Sequence, residues 1–317
     1  MNRTAVGDFD RDCEFPITVF TPTYNRAARL KRAYESLRDQ TYGDFEWLIV
    51  DDSSTDGTAD LVEQWQAESE FPIRFRVQEH SGKHHAYNIA IEASRGRFFV
   101  GLDSDDELFP NALERLLALW DEIPDDRENI SGVSCLNVTE DGDVYGDKFP
   151  EDRMFANYFE LRYKHGVEGA GVGCNRTAIL RDYPFPTLDD VRYIPESTVW
   201  SEIGKQYTQY CVNEPLGIYH SETDDEADAL TKRGNTDDSK SFVLWHRKRL
   251  NEHLPWFRYD PLTFFVSAVG YVRHSLHAGE GPLTQVTRLE LLLARLLWAV
   301  ALPIGSLVYV TDELVKQ

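Results

Sequence analysis

From Ile17 onward, short apolar runs alternate with segments whose apolar residues recur every three or four positions. Ile17 to Thr21 reads as a strand that breaks at Pro22, after which Leu30, Ala33, Tyr34 and Leu37 share one face of a helix that Asn25 is placed to cap. Phe45 to Val50 is the next strand. It ends in the turn formers Asp51-Asp52-Ser53-Ser54-Thr55-Asp56-Gly57, ahead of a helix carrying Leu61, Val62 and Trp65. The unit repeats through a strand at Ile73 to Val77, a loop at Ser81-Gly82, a helix through Ala86, Ile89, Ala90 and Ala93, and a stop at Gly96. A fourth apolar run then leads into Asp103, and Pro110 opens a helix with Leu113, Leu116, Leu117 and Trp120. Strands alternating with helices of this length predict an α/β fold with a mostly parallel sheet flanked by helices.

After Ser131 the pattern loosens. Strands are expected at Val133 to Val138, around Gly169 to Cys174, at Tyr210 to Asn213 and at Leu216 to His220, with a helix starting near Ser197 or Thr198. The acidic stretch from Ser221 to Ser239 reads as a loop, and the chain beyond it as helical. Leu291 to Val310 has the length of a bilayer span but is interrupted by Arg295, Pro303 and Gly305, so it reads as an interfacial or re-entrant helix or as a buried core helix. The expected division is a polar tail over 1–14 without signal-peptide character, a domain over 15–220 with halves 15–108 and 109–220, an acidic loop over 221–240, and a helical C-terminal extension over 241–317.

Composition narrows the partners. With 317 residues, 42% of them hydrophobic, the chain can bury a full core. Its formal net charge of -21 excludes a nucleic-acid partner, because a phosphate backbone is bound by Lys and Arg that displace its counterions. Cys13, Cys135, Cys174 and Cys211 lie far apart and form no C-x-x-C pair, which points to reduced thiols rather than a zinc site or a disulfide framework.

The chemistry is concentrated where the fourth strand ends. Phe98-Phe99-Val100-Gly101-Leu102 runs directly into Asp103-Ser104-Asp105-Asp106, placing three carboxylates within four residues at the mouth of a buried strand. Like charges that close together are costly unless a cation sits among them, and hard carboxylate oxygens suit Mg²⁺ or Mn²⁺. Such an ion, held by one or two carboxylates, commonly shares its shell with substrate phosphates. In a parallel sheet, ligands bind at the carboxyl ends of the strands, and Thr21-Pro22-Thr23-Tyr24, Asp51-Asp52 and Asp103-Ser104-Asp105 all fall there.

Taken in order, Thr21-Pro22-Thr23-Tyr24-Asn25-Arg26, Asp51-Asp52-Ser53-Ser54-Thr55-Asp56-Gly57-Thr58 and Asp103-Ser104-Asp105-Asp106 resemble the nucleotide-sugar domain of family 2 glycosyltransferases, which have the GT-A fold. The resemblance runs over roughly Phe15 to His220 and is tightest to about Leu108. It implies a GT-A-type, Rossmann-like sheet in which Thr21, Pro22 and Tyr24 line the base, Asp52 accepts from a uracil-type N–H, Lys83 reaches toward the nucleotide and Asn88 sits on the same helix. It further implies Asp103 on the ribose, Asp105 on the metal with Asp106 assisting, and Glu196, four residues before Trp200, as the base that activates the acceptor. The glutamate-aspartate pair usual at that place is Pro195-Glu196 here. The implied reaction is an inverting transfer from a nucleoside diphosphate sugar, UDP-type favoured, to a hydroxyl of a glycan or lipid-linked acceptor, with the catalytic domain on the cytosolic side of any membrane that 291–310 contacts.

Each assignment has a plainer reading. Asp52 is also a turn or cap residue, Lys83 a solvated charge, Glu196 a first-turn acid favoured by the helix dipole, and His220 a structural histidine rather than part of a lid. His84 and His85 lack metal-ligand spacing. A non-catalytic nucleotide-sugar binder or an aspartate-dependent phosphatase would share the D-x-D strand, though Glu107 stands where such phosphatases place Thr or Val. A nucleotidylyltransferase is disfavoured because Thr21 to Arg26 contains no glycine.

Overall fold

Phe15–Thr23 (β1) is the axis of the sheet, with Phe45–Asp51 (β2) parallel on one side and Gly96–Gly101 (β4) parallel on the other. Ile73–Val77 (β3) adds parallel to β2 at the edge. The computed structural model describes residues 13–169, 171–189, 191–220 and 238–315. Among these, Glu107–Leu108 (β5), Ile130–Val138 (β6), Met154–Ala156 (β7), Gly173–Arg176 (β8) and Thr208–Ile218 (β9) complete a sheet of order β3-β2-β1-β4-β8-β6-β9-β5, with β7 on β9. The first half is parallel throughout. In the second half only β6 and β9 run parallel, and β5, β7 and β8 pair antiparallel.

The chain divides into two compact units: residues 1–161, 165–185 and 199–222, and residues 162–164, 186–198 and 223–317. In the first, Ala27–Arg38 (α1), Thr58–Glu68 (α2) and Ala112–Asp121 (α4) turn Leu30, Tyr34, Val62, Trp65, Leu113 and Leu116 onto the face of the sheet formed by Ile17, Val19, Trp47 and Val100. Lys83–Ala93 (α3) covers the other face, where Tyr87 meets Phe20 edge-on at 4.8 Å. This two-sided burial is why the strands read as nearly continuous apolar runs. Thr177–Asp182 (α5) follows β8, and Ser197–Ile203 (α6) precedes β9.

Several boundaries differ from the sequence pattern. Asn25 does not cap α1: its φ of 51° is left-handed, Arg26 holds the cap position, and the α1 first-turn amide of Ala27 donates to Asp56 at 2.9 Å. The strand expected at Gly169 begins only at Gly173, because Gly169 has φ +111° and packs against the backbone of Gly146. The two strands expected on either side of Glu214 are a single strand, β9, with register shifts around Leu136 opposite Pro215 that absorb the missing proline N–H. The expected acidic loop at 221–240 lies outside the described residues up to 237, as does the tail up to residue 12.

In the second unit, Ser239–Glu252 (α7) and Pro261–His277 (α8) pack together, Pro282–Thr287 (α9) follows, and Leu292–Val315 (α10) lies along α8. Pro303 does not interrupt α10, which is a continuous 24-residue helix long and apolar enough to cross a membrane, with 17% of its most apolar window buried. Ala294, Trp298, Ala301 and Gly305 form its inward stripe, while Leu292, Leu296, Val300, Leu307 and Leu314 are exposed.

Between α7 and α8, His274 stacks on Phe242 and His246, and burial pushes the His274 pKa down to about 4 and that of His246 well below its ordinary value. Both imidazoles stay neutral in the folded state, whereas the unfolded chain protonates them near pH 6.5; the unfolded state therefore binds more protons below that pH, and stability falls as pH drops from about 6.5 toward 4. Each histidine contributes a slope of up to ~1.4 kcal/mol per pH unit in that window. Asp106 acts in the opposite sense, since its raised pKa favours the folded state as pH falls. The histidine share is therefore read as a difference: thermal unfolding of His274→Phe between pH 7.5 and 4.5 should show a shallower acid loss than the natural chain, by about one proton's slope.

Candidate active site

β1 pairs with β4 only as far as Phe20 opposite Gly101, yet stays paired with β2 to Thr23 opposite Asp51. Pro22 is tolerated there because one neighbour has already left. The strands β2 and β3 build outward on one side of β1 while β4 returns on the other, so the reversal of strand order opens a crevice at the carboxyl ends of β1 and β4.

On the β2 side, Asp51 accepts from the Ser54 amide at 3.0 Å and from its hydroxyl, which shapes the turn; burial raises its pKa and those hydrogen bonds oppose the rise. Asp52 folds the next loop: its carboxylate accepts from Gln78 Nε2 at 2.6 Å, Ser81 N at 2.8 Å and Gly82 N at 3.0 Å, and His80 Nδ1 lies 2.9 Å away. Thr21 is fully buried and its hydroxyl accepts from Trp47 Nε1 at 3.0 Å, so its side chain faces the core instead of the base opening that the sequence reading gave it. Pro22 is half-buried, and Tyr24 is 43% exposed with its ring stacked on His80 at 4.2 Å.

On the β4 side the carboxylates meet cations from distant parts of the chain. Lys83 Nζ lies 2.9 Å from Asp103, Arg26 Nη1 2.9 Å from Asp105, and Arg32 Nη1 donates to the Asp105 carbonyl at 2.9 Å. Asp106 is the most deeply set. Burial first, then the negative charges of Asp103 and Asp105, raises its pKa to about 8, against a hydrogen bond from the His220 amide at 3.2 Å. The His220 ring bridges Glu107, 2.8 Å from Nε2, and Glu140. Asn88 is structural: it clamps Phe185 through two hydrogen bonds of 3.0 and 2.8 Å. Glu196 belongs to the second unit, one residue ahead of α6, where the neighbouring Ser197 hydroxyl accepts from Trp245 Nε1 at 2.7 Å.

Arg26, Arg32, His80, Glu140 and the bridging role of His220 escaped the sequence reading. Arg26 alone carried a signal, since it closes the first motif; the others are joined to the site by contacts that no local spacing announces. Among the described residues no set of three or more His, Cys, Asp or Glu side chains converges to enclose a metal ion. Asp105 and Asp106 nonetheless fit an ion that takes one or two protein carboxylates and completes its shell with phosphate and water, because the charge crowding that helps keep a proton on Asp106 is what a divalent cation relieves.

The family model described as Glycosyl transferase family 2 matches residues 18–183. A Bacillus subtilis (strain 168) glycosyltransferase named for teichuronic acid biosynthesis, TuaG, is 30% identical over 206 residues, 64% of this chain and 78% of that protein. Two other curated relatives are matched over only 32% and 29% of their own length. The crystal structure of S. aureus TarS 1-349 in complex with UDP-GlcNAc superposes with a TM-score of 0.58 at 18% identity, covering 91% of this chain and 80% of that one. The mannosyltransferase PcManGT from Pyrobaculum calidifontis, in complex with GDP-Man and Mn2+, superposes with a TM-score of 0.56 at 20% identity, covering 94% and 88%. At these identities the superpositions show a shared fold.

Proposed function

The chain belongs to glycosyl transferase family 2, and from that premise we propose that it moves a sugar from a nucleoside diphosphate sugar, UDP-type favoured, to an acceptor hydroxyl with inversion. The observation that carries this reading is the grouping of Asp103, Asp105 and Asp106 with Lys83 and Arg26 beside the Asp52 loop, at the crevice where the strand order reverses. Tyr24 and Pro22 give the base an exposed surface, and Asp52 sets the loop that borders it. Asp103 takes the ribose, and Lys83, whose ion pair with the half-exposed Asp103 is of the kind worth little in water, turns to the phosphates. A Mg²⁺ or Mn²⁺ ion held by Asp105 and Asp106 would offset the charge that develops on the departing diphosphate. Glu196 removes the proton of the attacking hydroxyl, and attack in a single displacement inverts the anomeric centre.

The exposed apolar face of α10 supports contact with a membrane, at its cytosolic surface, and hence a lipid-linked or growing glycan as acceptor. The test is a set of nucleotide sugars offered with and without Mn²⁺: the matching donor should raise the melting temperature only when the ion is present, and nucleoside diphosphate should be released once acceptor is added. Glu196→Gln should keep the donor-induced shift and lose about 10²- to 10⁴-fold in turnover. Full turnover by that variant removes Glu196 from the mechanism.

A further inference from the structure

Tyr145 and Tyr219 stack with ring centroids 3.8 Å apart and planes 19° from parallel, and both remain partly exposed. Tyr145 follows Val144, which packs against the small cluster of Leu136, Phe149 and Cys211, so the pair stands at the rim of that cluster with part of each ring left to solvent. Their backbones are pinned. Tyr219 N donates to Val138 O at 2.7 Å and Tyr145 N to Asn137 O at 2.9 Å, while Thr139 N closes the intervening hairpin on Asp143 O at 2.7 Å. Behind Tyr145, Gly146 has φ +76° and lies so close to Glu168 that an added Cβ would sit 2.5 Å from its carbonyl oxygen.

The pair also stands beside the acid cluster. Ile218 is paired with Glu107, and His220 N donates to Asp106, so Tyr219 sits between two residues tied to the aspartate motif. Its phenol pKa is raised to about 12, by burial first, then by the hydrogen bond with Tyr145 and the nearby carboxylates, so it stays neutral.

On the transferase reading above, we infer that Tyr145 and Tyr219 form an acceptor subsite that receives an uncharged pyranose ring against the aromatic face. The C–H face of a sugar carries slight positive charge and meets the negative face of an aromatic ring, while its hydroxyls find acceptors in the surrounding carboxylates. Glu140, with its side chain 65% exposed and paired with His220 next to Tyr219, is one such acceptor on the hairpin. The run Glu140-Asp141-Gly142-Asp143 disfavours an anionic sugar at the same place. Base stacking is already provided at Tyr24 and His80.

The experiment uses the full chain with UDP and Mn²⁺ and records saturation-transfer NMR on methyl β-glycosides of glucose, galactose and N-acetylglucosamine, with methyl β-glucuronide as the anionic control. At least one neutral glycoside should take up saturation at its ring C–H positions, several-fold above the glucuronide. Tyr145→Leu and Tyr219→Leu, which keep volume but remove the π face, should lose that signal about tenfold, and Tyr145→Phe and Tyr219→Phe should keep it. No neutral signal in the natural chain, or an undiminished one in either folded Leu variant, overturns the subsite. A thermal shift by nucleoside diphosphates (UDP, GDP, ADP and dTDP) with Mn²⁺ separates the two readings: if one of them shifts the natural chain, such a failure belongs to the subsite alone, and if none does, the transferase reading falls and the subsite with it.

Discussion

Replacing Asp105 by asparagine is expected to lower nucleotide-sugar turnover by about 10²- to 10³-fold, the range seen when one group stabilising developing charge is removed, without lowering the melting temperature. Asparagine keeps the shape of the side chain and removes one carboxylate from the crevice. Two changes in stability oppose one another. Arg26 loses an ion partner, but both side chains are about a quarter exposed, so the pair contributes on the order of 1 kcal/mol or less. Asp106, whose pKa is raised by burial and by Asp103 and Asp105, loses one of the charges that repel it. The Mn²⁺-dependent thermal shift by UDP should weaken in parallel with kcat/KM. Turnover within threefold of the natural chain would take Asp105 out of the reaction.

Glu46→Leu should cost about 3 kcal/mol of folding stability, because it removes the buried carboxylate of an ion pair and takes the acceptor from Thr18 Oγ1 and Arg95 N, while Arg74 keeps only the Ala93 carbonyl. Glu46 is fully buried in β2, where it accepts from Thr18 Oγ1 at 2.7 Å, Arg95 N at 2.8 Å and Arg74 Nη1 at 2.8 Å. The Thr18 oxygen accepts in turn from Ser94 Oγ and Gly96 N, both at 2.8 Å, so one carboxylate organises β1, β2, β3 and the start of β4. These contacts lie at the amino-terminal end of the parallel strands, away from the acid crevice. Urea unfolding should show the midpoint falling with little change in slope, and Glu46→Gln, which keeps the shape and part of the hydrogen bonding, should lose less. A loss below about 1 kcal/mol would mean that the network is not desolvated.

Glu46 shows where pattern reading ends. In Phe45-Glu46-Trp47-Leu48-Ile49-Val50 it is one polar residue in an apolar run, and nothing in its neighbourhood announces three partners drawn from positions 18, 74 and 95. Asp52 shows the same limit differently. Its place at a strand end was readable, but that its carboxylate gathers the 78–82 loop depends on β3 pairing parallel beside β2, which ends Val77 opposite Asp51. Thr21 lies in the first motif, yet strand alternation and Trp47 turn it inward.

The alternation of continuous apolar runs with 3.6-residue periods, the succession of strands and helices along the chain up to Gly101 and the three polar clusters at the strands' carboxyl ends were determined by sequence alone, because they follow from local spacing. Tertiary structure decided which cation meets which carboxylate, since Arg26 and Asp105 are 79 residues apart, and which backbone amide reaches Asp106, since His220 is 114 residues away. It also decided the pairing of Tyr145 with Tyr219 and the raised pKa of Asp106. Coulomb energy and desolvation depend on distance through space and on depth from water, and neither quantity exists until the chain has folded.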